Sequence, residues 1–312
     1  MGALALRLLS AALASAGAAA AAHEADADRG AAAAVLWDGR WSAEPWVAAL
    51  LAASLVAYGI GLMRLWRRAG PGHGISRWRA ASFGGGWLML VVALASPLDR
   101  LGNQLFSAHM LQHELLMTVV APLMVLGRPL GVWAWAMPMP LRRGIGAALH
   151  HPVWRVPWQW LTTPLAAWAV HAAALWLWHL PGWFEAALAS NAVHTGQHAS
   201  FLFASLLFWW SVLGSMSRAS DGIALASVFT TMLHTAALGA LLSLSEIVWY
   251  PHYIATAGAF GWEAIDDQQL GGLVMWMPAG IAYFVAGLAL ASRWLNGGAP
   301  NTYAKARPSD AG

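Results

Sequence analysis

Residues 105–126 read LFSAHMLQHELLMTVVAPLMVL, an apolar run with His109 and His113 at its head and no basic residue within it. Its length suits one membrane-crossing helix, which needs about 20 apolar residues. Two histidines four apart lie one above the other on one face of a helix, so both imidazoles can reach a common metal or partner. The spacing recurs at His194 and His198, at the head of a second apolar run that ends near Leu213, and His171, His179 and His234 stand within or at the ends of further apolar runs. Ionisable groups inside membrane segments are rare, face the bundle interior and mark functional paths. The rest of the chain therefore reads as scaffolding for these side chains.

Composition agrees. Of 312 residues 59% are hydrophobic and 10% charged, whereas soluble domains carry about 25% charged residues. The expected fold is all-α, a polytopic membrane helix bundle of about seven transmembrane helices following a cleavable signal peptide. No second sizeable domain fits beside it. The pI near 9.7 does not indicate nucleic-acid binding, because the basic residues fall in a few loops between spans, as membrane topology alone requires. The absence of cysteine excludes disulfides, Cys-x-x-Cys metal transfer and thiol catalysis. A metal would be held by His, Met, carboxylate or backbone. Lys305 is the one lysine among 17 basic residues, a bias that fits a GC-rich bacterial genome.

In chain order, residues 1–22 carry Arg7, an alanine-rich apolar stretch and then small residues, the pattern of a secretory signal peptide, with an uncleaved first span as the alternative. A polar extracytoplasmic leader follows over 23–45. Cleavage after Ala22 would leave His23 as an amino terminus able to chelate copper through its amine and ring. The bundle is expected over 46–294 and a cytoplasmic tail over 295–312. Spans are placed at Trp46 to Trp66, Ala81 to Ser96, Leu105 to Leu126, Pro164 to His179, His194 to Leu213, Ile223 to Leu244 and Gly271 to Trp294. Arg64, Arg67, Arg68, Arg77, Arg79, Arg142, Arg143, Arg155, Arg293, Lys305 and Arg307 mark the cytoplasmic side. Pro97 and Asp99 read as an external turn, and Gly84 to Gly86 as a close helix approach or a later helix start. The connection from Arg128 to Thr162 reads as a cytoplasmic loop with its tryptophans along the interface.

This topology, drawn without the histidines, sets His109, His179 and His194 at the outer ends of three spans. His113 and His198 lie one turn deeper, about 6 Å below. Asp266 and Asp267 are expected just outside span seven at the same level. His109, His113, His179, His194 and His198 are therefore the candidate metal ligands, with Asp267 as a further ligand or as an acceptor fixing an imidazole tautomer. Imidazole suits copper, zinc and haem iron, and Met110, Met117 or Met275 would favour Cu(I). Haem b held between two imidazoles at matched depth is the competing cofactor. Metal-free hydrogen bonding that stiffens the bundle is the plain alternative. His171 and His234 lie deeper, as structural groups, relays or supports. A zinc-protease reading fails, because Gln112 stands inside the pair and Glu114 outside it.

Ser107 to His113, Ala121-Pro122-Leu123, Leu126-Gly127-Arg128-Pro129, Trp178-His179-Leu180-Pro181, His194 with His198, and Asp267 to Gly272 with Met275-Trp276 follow one another in that order. Together they resemble the CtaG-type cytochrome c oxidase assembly factors, multi-span proteins of the caa-type oxidase, over roughly Trp46 to Trp294. The resemblance implies a seven-span bundle, a role in oxidase maturation and not an enzyme activity, and a copper supply to an oxidase subunit from the bacterial cell (inner) membrane. A haem-bearing electron carrier and a metal-free assembly scaffold are the other expectations. Glu114 stands where that family is usually apolar, so the resemblance implies no role for it.

Overall fold

The computed structural model describes residues 39–41, 43–214 and 218–296. The expected signal peptide, most of the leader with His23, and nearly all of the tail with Lys305 and Arg307 lie outside the described residues. Those residues are helical, with no strand among them. In order they form α1 (Pro45–Ala69), α2 (Arg77–Ala95), α3 (Pro97–Gly102), α4 (Phe106–Glu114), a π-helical segment (Leu115–Val120), α5 (Ala121–Gly127), α6 (Pro129–Ala136), α7 (Met139–His150) and α8 (Pro152–Leu161). Then follow α9 (Pro164–Trp178), α10 (Pro181–Ala189), α11 (Asn191–Leu213), α12 (Arg218–Ser243), α13 (His252–Thr256), a 3₁₀ turn (Ala257–Phe260) and α14 (Ala264–Asn296).

Five of these segments are long and apolar enough to cross a membrane: α1, α2, the continuous run Phe106–Gly127, Gly222–Ser243 within α12, and α14. Helix α9 is apolar but has 15 residues. Helix α11 has 23 residues, but His194, Gln197 and His198 in its first turns lower its hydropathy. The run Phe106–Gly127 is the axis of the bundle, 61% buried where the other four are 17–33% buried. Helix ends follow local chemistry. Pro45, Pro129, Pro164 and Pro181 each open a helix, where the missing N–H has no intrahelical partner to lose. Arg67 and Arg68 close α1 against the negative end of its dipole.

Within the axis, Pro122 lacks the N–H that would bond back to the preceding turn. The π segment directly before it widens the backbone, and the indole Nε1 of Trp209 donates to the Met117 carbonyl at 2.9 Å. The group freed by proline is thus satisfied from α11. Helix α14 approaches this axis closely because Gly271 and Gly272 have no Cβ. One at Gly271 would meet the Phe106 ring at 2.3 Å, and one at Gly272 the Gly239 carbonyl of α12 at 2.6 Å.

Several expected boundaries move. Pro97 and Asp99 lie in the short helix α3, which Ser96 caps by accepting from the Leu98 N–H, rather than in an open turn. Helix α2 runs through Gly84 to Gly86, and Gly86 packs against Leu123 and Met124. The connection 128–162 is three short helices. Helices α7 and α8 bury no residue and expose Trp154 and Trp160, as interfacial helices do. Helix α14 begins at Ala264, so Asp266 and Asp267 stand in its first turn, where carboxylates complement the helix dipole, rather than in the preceding loop. That loop folds inward and buries Tyr250 and Tyr253 completely.

Candidate metal centre

The i, i+4 spacing on α4 brings His109 and His113 together, with their Nε2 atoms 2.9 Å apart. Around one ion at about 2.0–2.1 Å from each nitrogen, tetrahedral neighbours lie about 3.3 Å apart, so these two atoms are already near ligand spacing. On α11 the His194 and His198 rings are 4.2 Å apart, and they face His109 at 5.2 and 5.9 Å between centroids. One nitrogen from each of His109, His194 and His198 falls within 4.8 Å of the others. His113 adjoins this triad at 5.2 Å from the His198 ring, and His179, at the C-terminal end of α9, lies 6.2 Å from His113. The five histidines thus form one continuous layer. His109, His113, His179 and His198 are all buried.

The hydrogen bonds of the layer leave several buried ring nitrogens without a partner. His179 donates from Nδ1 to the Leu175 carbonyl at 2.7 Å, and its Nε2 has no partner. The Nε2 atoms of His194 and His198 and the Nδ1 of His113 are likewise buried and unpartnered. His109 turns Nδ1 toward the Gly102 carbonyl at 3.3 Å and the Tyr253 hydroxyl at 3.2 Å, which leaves its Nε2 for the layer. A hydrogen bond on one ring nitrogen fixes which nitrogen is free for a metal. Tyr253 donates to the same Gly102 carbonyl at 2.9 Å. Burial first, then the neighbouring Asp267, Tyr250 and Glu185, push its phenol well above the ordinary range, so it remains a donor. Unpaired buried polar groups cost free energy, and a cation accepted by several imidazoles would remove that cost.

Asp267 is engaged elsewhere. Its carboxylate accepts from the Phe106 N–H at 2.6 Å, the Ser107 N–H at 3.1 Å and the Ser107 hydroxyl at 2.5 Å. It caps α4, the helix that carries the first histidine pair. Gln112, which stands inside that pair, donates to the Ala93 carbonyl and to Asp99, each at 2.7 Å, tying α4 to α2 and α3. Glu114 is buried beside His113 with one carboxylate oxygen unpartnered. Phe184 and Phe201 close the layer, with rings 5.0 Å from His109 and 4.6 Å from His113. Nothing in residue type or spacing singles out Tyr253, Gly102, Phe184 or Phe201 in the sequence. Gln112 carries a clue only in its place between the two histidines.

His194 and His198 also form part of the wall of a cavity of about 880 Å³ between α1, α2 and α11, otherwise lined by residues such as Leu51, Leu116, Trp133 and Phe203. The layer therefore has a side on which a ligand or partner group can approach.

The sequence model of the cytochrome c oxidase caa3 assembly factor family matches residues 56–297, which include all five histidines and Asp267. The chain belongs to that family. Among curated proteins, this caa3 assembly factor family member is similar to uncharacterized proteins of Mycobacterium bovis and Mycobacterium tuberculosis, each 24% identical over 250 residues. An uncharacterized protein of Mycobacterium leprae is 23% identical over 253 residues. Each match covers 77% of this chain and 37% of the relative, so the chain spans little more than a third of the length of those proteins. No solved structure matches it.

Proposed function

We propose that this chain is a membrane-embedded oxidase assembly factor that holds copper in its histidine layer and supplies it to a cytochrome c oxidase subunit. Family membership supports the assembly role. The observation that carries the copper reading is the cluster of imidazoles from α4, α9 and α11, in which one nitrogen each of His109, His194 and His198 lies within 4.8 Å of the others and buried ring nitrogens of His113, His179, His194 and His198 have no partner. His109, His113, His179, His194 and His198 would hold the ion. Asp267, fully occupied on α4, would position His109 and His113 from behind rather than ligate.

Charge favours Cu(I) over a divalent ion. The layer supplies neutral ligands only, and the Born cost of an ion in a low-dielectric site rises with the square of its charge. A monovalent cation therefore needs no carboxylate here, and imidazole accepts Cu(I). The tight ring contacts, 4.2 to 6.2 Å between neighbouring imidazoles, support an ion rather than a haem b macrocycle, which needs an open slot between two axial histidines. Surplus imidazoles allow ligand exchange, whereas a closed four-ligand site would retain its metal.

In this reading α9 and α11 complete a seven-span bundle in the bacterial cell membrane. The arginine-rich ends of α1 and α2 and the segment 128–162 face the cytoplasm, and the histidine layer faces outward. The amino terminus of the mature chain is then extracytoplasmic and the carboxyl terminus cytoplasmic. Metal content and an optical spectrum on detergent-purified protein, beside the His109→Ala, His113→Ala double variant, test the assignment. Bound copper without a Soret band, with the ion of this layer lost in the variant, is expected. A Soret band would move the protein to the haem class, and neither metal after loading with Cu(I) would leave a metal-free scaffold.

A further inference from the structure

A second group of polar side chains lies deeper, on α9 and α11, which also carry the outer layer, and on α12. His171 is eight residues before His179 on α9, about 12 Å further into the bundle. Ser205 is seven residues after His198 on α11, on nearly the same face and about 10 Å deeper. His234 and Thr231 stand one turn apart on α12. His171, Ser205 and Thr231 are fully buried. Both ring nitrogens of His171, both of His234, the hydroxyls of Ser205 and Thr231 and the indole N–H of Trp168 are buried without a hydrogen-bond partner.

The two imidazoles face each other. Their ring centroids are 6.3 Å apart, with planes inclined by 59°. Two rings on opposite sides of one ion, each nitrogen about 2 Å from it, place their centroids roughly 6 Å apart. The Phe208 ring lies 5.0 Å from His171 and the Trp168 ring 5.8 Å from His234, so apolar walls flank the pair. Two neutral nitrogen ligands in an apolar setting suit a soft, monovalent ion that accepts two-coordinate binding, and they suit divalent ions poorly.

We propose that His171 and His234 form a second, inner site for one Cu(I) ion, held between the two imidazoles near the middle of the bundle. The inner site stands on its own residues, independent of what occupies the outer layer. Helix α9 then carries a ligand for each of two metal stations one above the other, His179 at the upper and His171 at the lower.

The test uses the full chain in detergent, loaded anaerobically with Cu(I) alone and freed of loosely bound metal. Copper per chain is measured together with the X-ray absorption edge, whose intense near-edge feature marks two-coordinate Cu(I). The wild type is expected to hold two ions. His171→Leu with His234→Leu should hold one and lose the two-coordinate feature. The outer variant, His109→Ala with His113→Ala, should keep one ion and the feature. A single ion lost only in the inner variant would uphold the inner site and overturn the outer one. Unchanged copper and an unchanged edge in the inner variant would overturn the inner site and leave it a chamber for water. Should the leucine pair fail to fold, His234→Gln keeps a polar group at the position and is expected to lose the same ion and the same feature.

Discussion

A chain carrying His194→Leu and His198→Leu is expected to bind Cu(I) in the outer layer at least ~100-fold more weakly than the wild type, yet to unfold at the same temperature or higher. The first half follows from ligand number. These residues supply two of the three nitrogens that lie within 4.8 Å of one another, and even the loss of groups that merely orient ligands costs 10–100-fold in affinity. The second half follows from what the imidazoles lack. Their Nε2 atoms are buried without partners, and each such atom disfavours the folded state by about 1–3 kcal/mol. Leucine of similar volume removes that cost and leaves no partner stranded. Sites kept for function at the expense of stability behave this way. Competition titration with a Cu(I) chelator and a thermal melt of the metal-free protein check both halves. Unchanged affinity would remove these two residues from the ligand set.

Asp267→Asn is expected to act in the opposite sense, lowering stability by about 3 kcal/mol and weakening copper binding about tenfold without removing a ligand. The carboxylate receives two backbone N–H groups and the Ser107 hydroxyl. An amide keeps one acceptor oxygen and turns its NH₂ toward groups that are themselves donors. The first turn of α4 then loses its cap, and His109, three residues beyond Phe106, loses its fixed position. A thermal melt and the same titration separate this variant from the histidine pair, since here both quantities fall together. Retained stability would show that the α4 N-terminus is held by other contacts.

The contrast between these two variants bears on how far the sequence could be read. The histidine layer was legible because two local regularities, the four-residue spacing and the placement of arginines, put side chains on faces and at depths without knowledge of contacts. The role of Asp267 was not, because its partners at Phe106 and Ser107 are 161 and 160 residues away in the chain. The same holds for Tyr253, which reaches Gly102 across 151 residues. Five spans were plain from hydropathy, whereas α9 is short and α11 polar in its first turns. In both, the residues that build the site are those that weaken the membrane signal. The short helices α3, α6, α7 and α8 were read as turn or loop because each is too brief for its periodicity to stand out.

The π segment at Leu115–Val120 makes the aim of the first histidine pair a matter of residue count as well as residue type. A wide turn holds one residue more than an α-helical path of the same rise. Inserting one residue after Val119 would exceed what one wide turn absorbs and rotate everything before it by about 100° relative to Pro122 and α5, whereas deleting Val119 would let residues 115–120 close into ordinary α-helix with that orientation kept. With the insertion, His109 and His113 would keep their spacing and their chemistry but leave the layer, and the lengthened chain should fold with one copper ion fewer, as metal analysis of the purified insertion variant would show. Insertions in this stretch would then be constrained as strictly as changes to the histidines themselves.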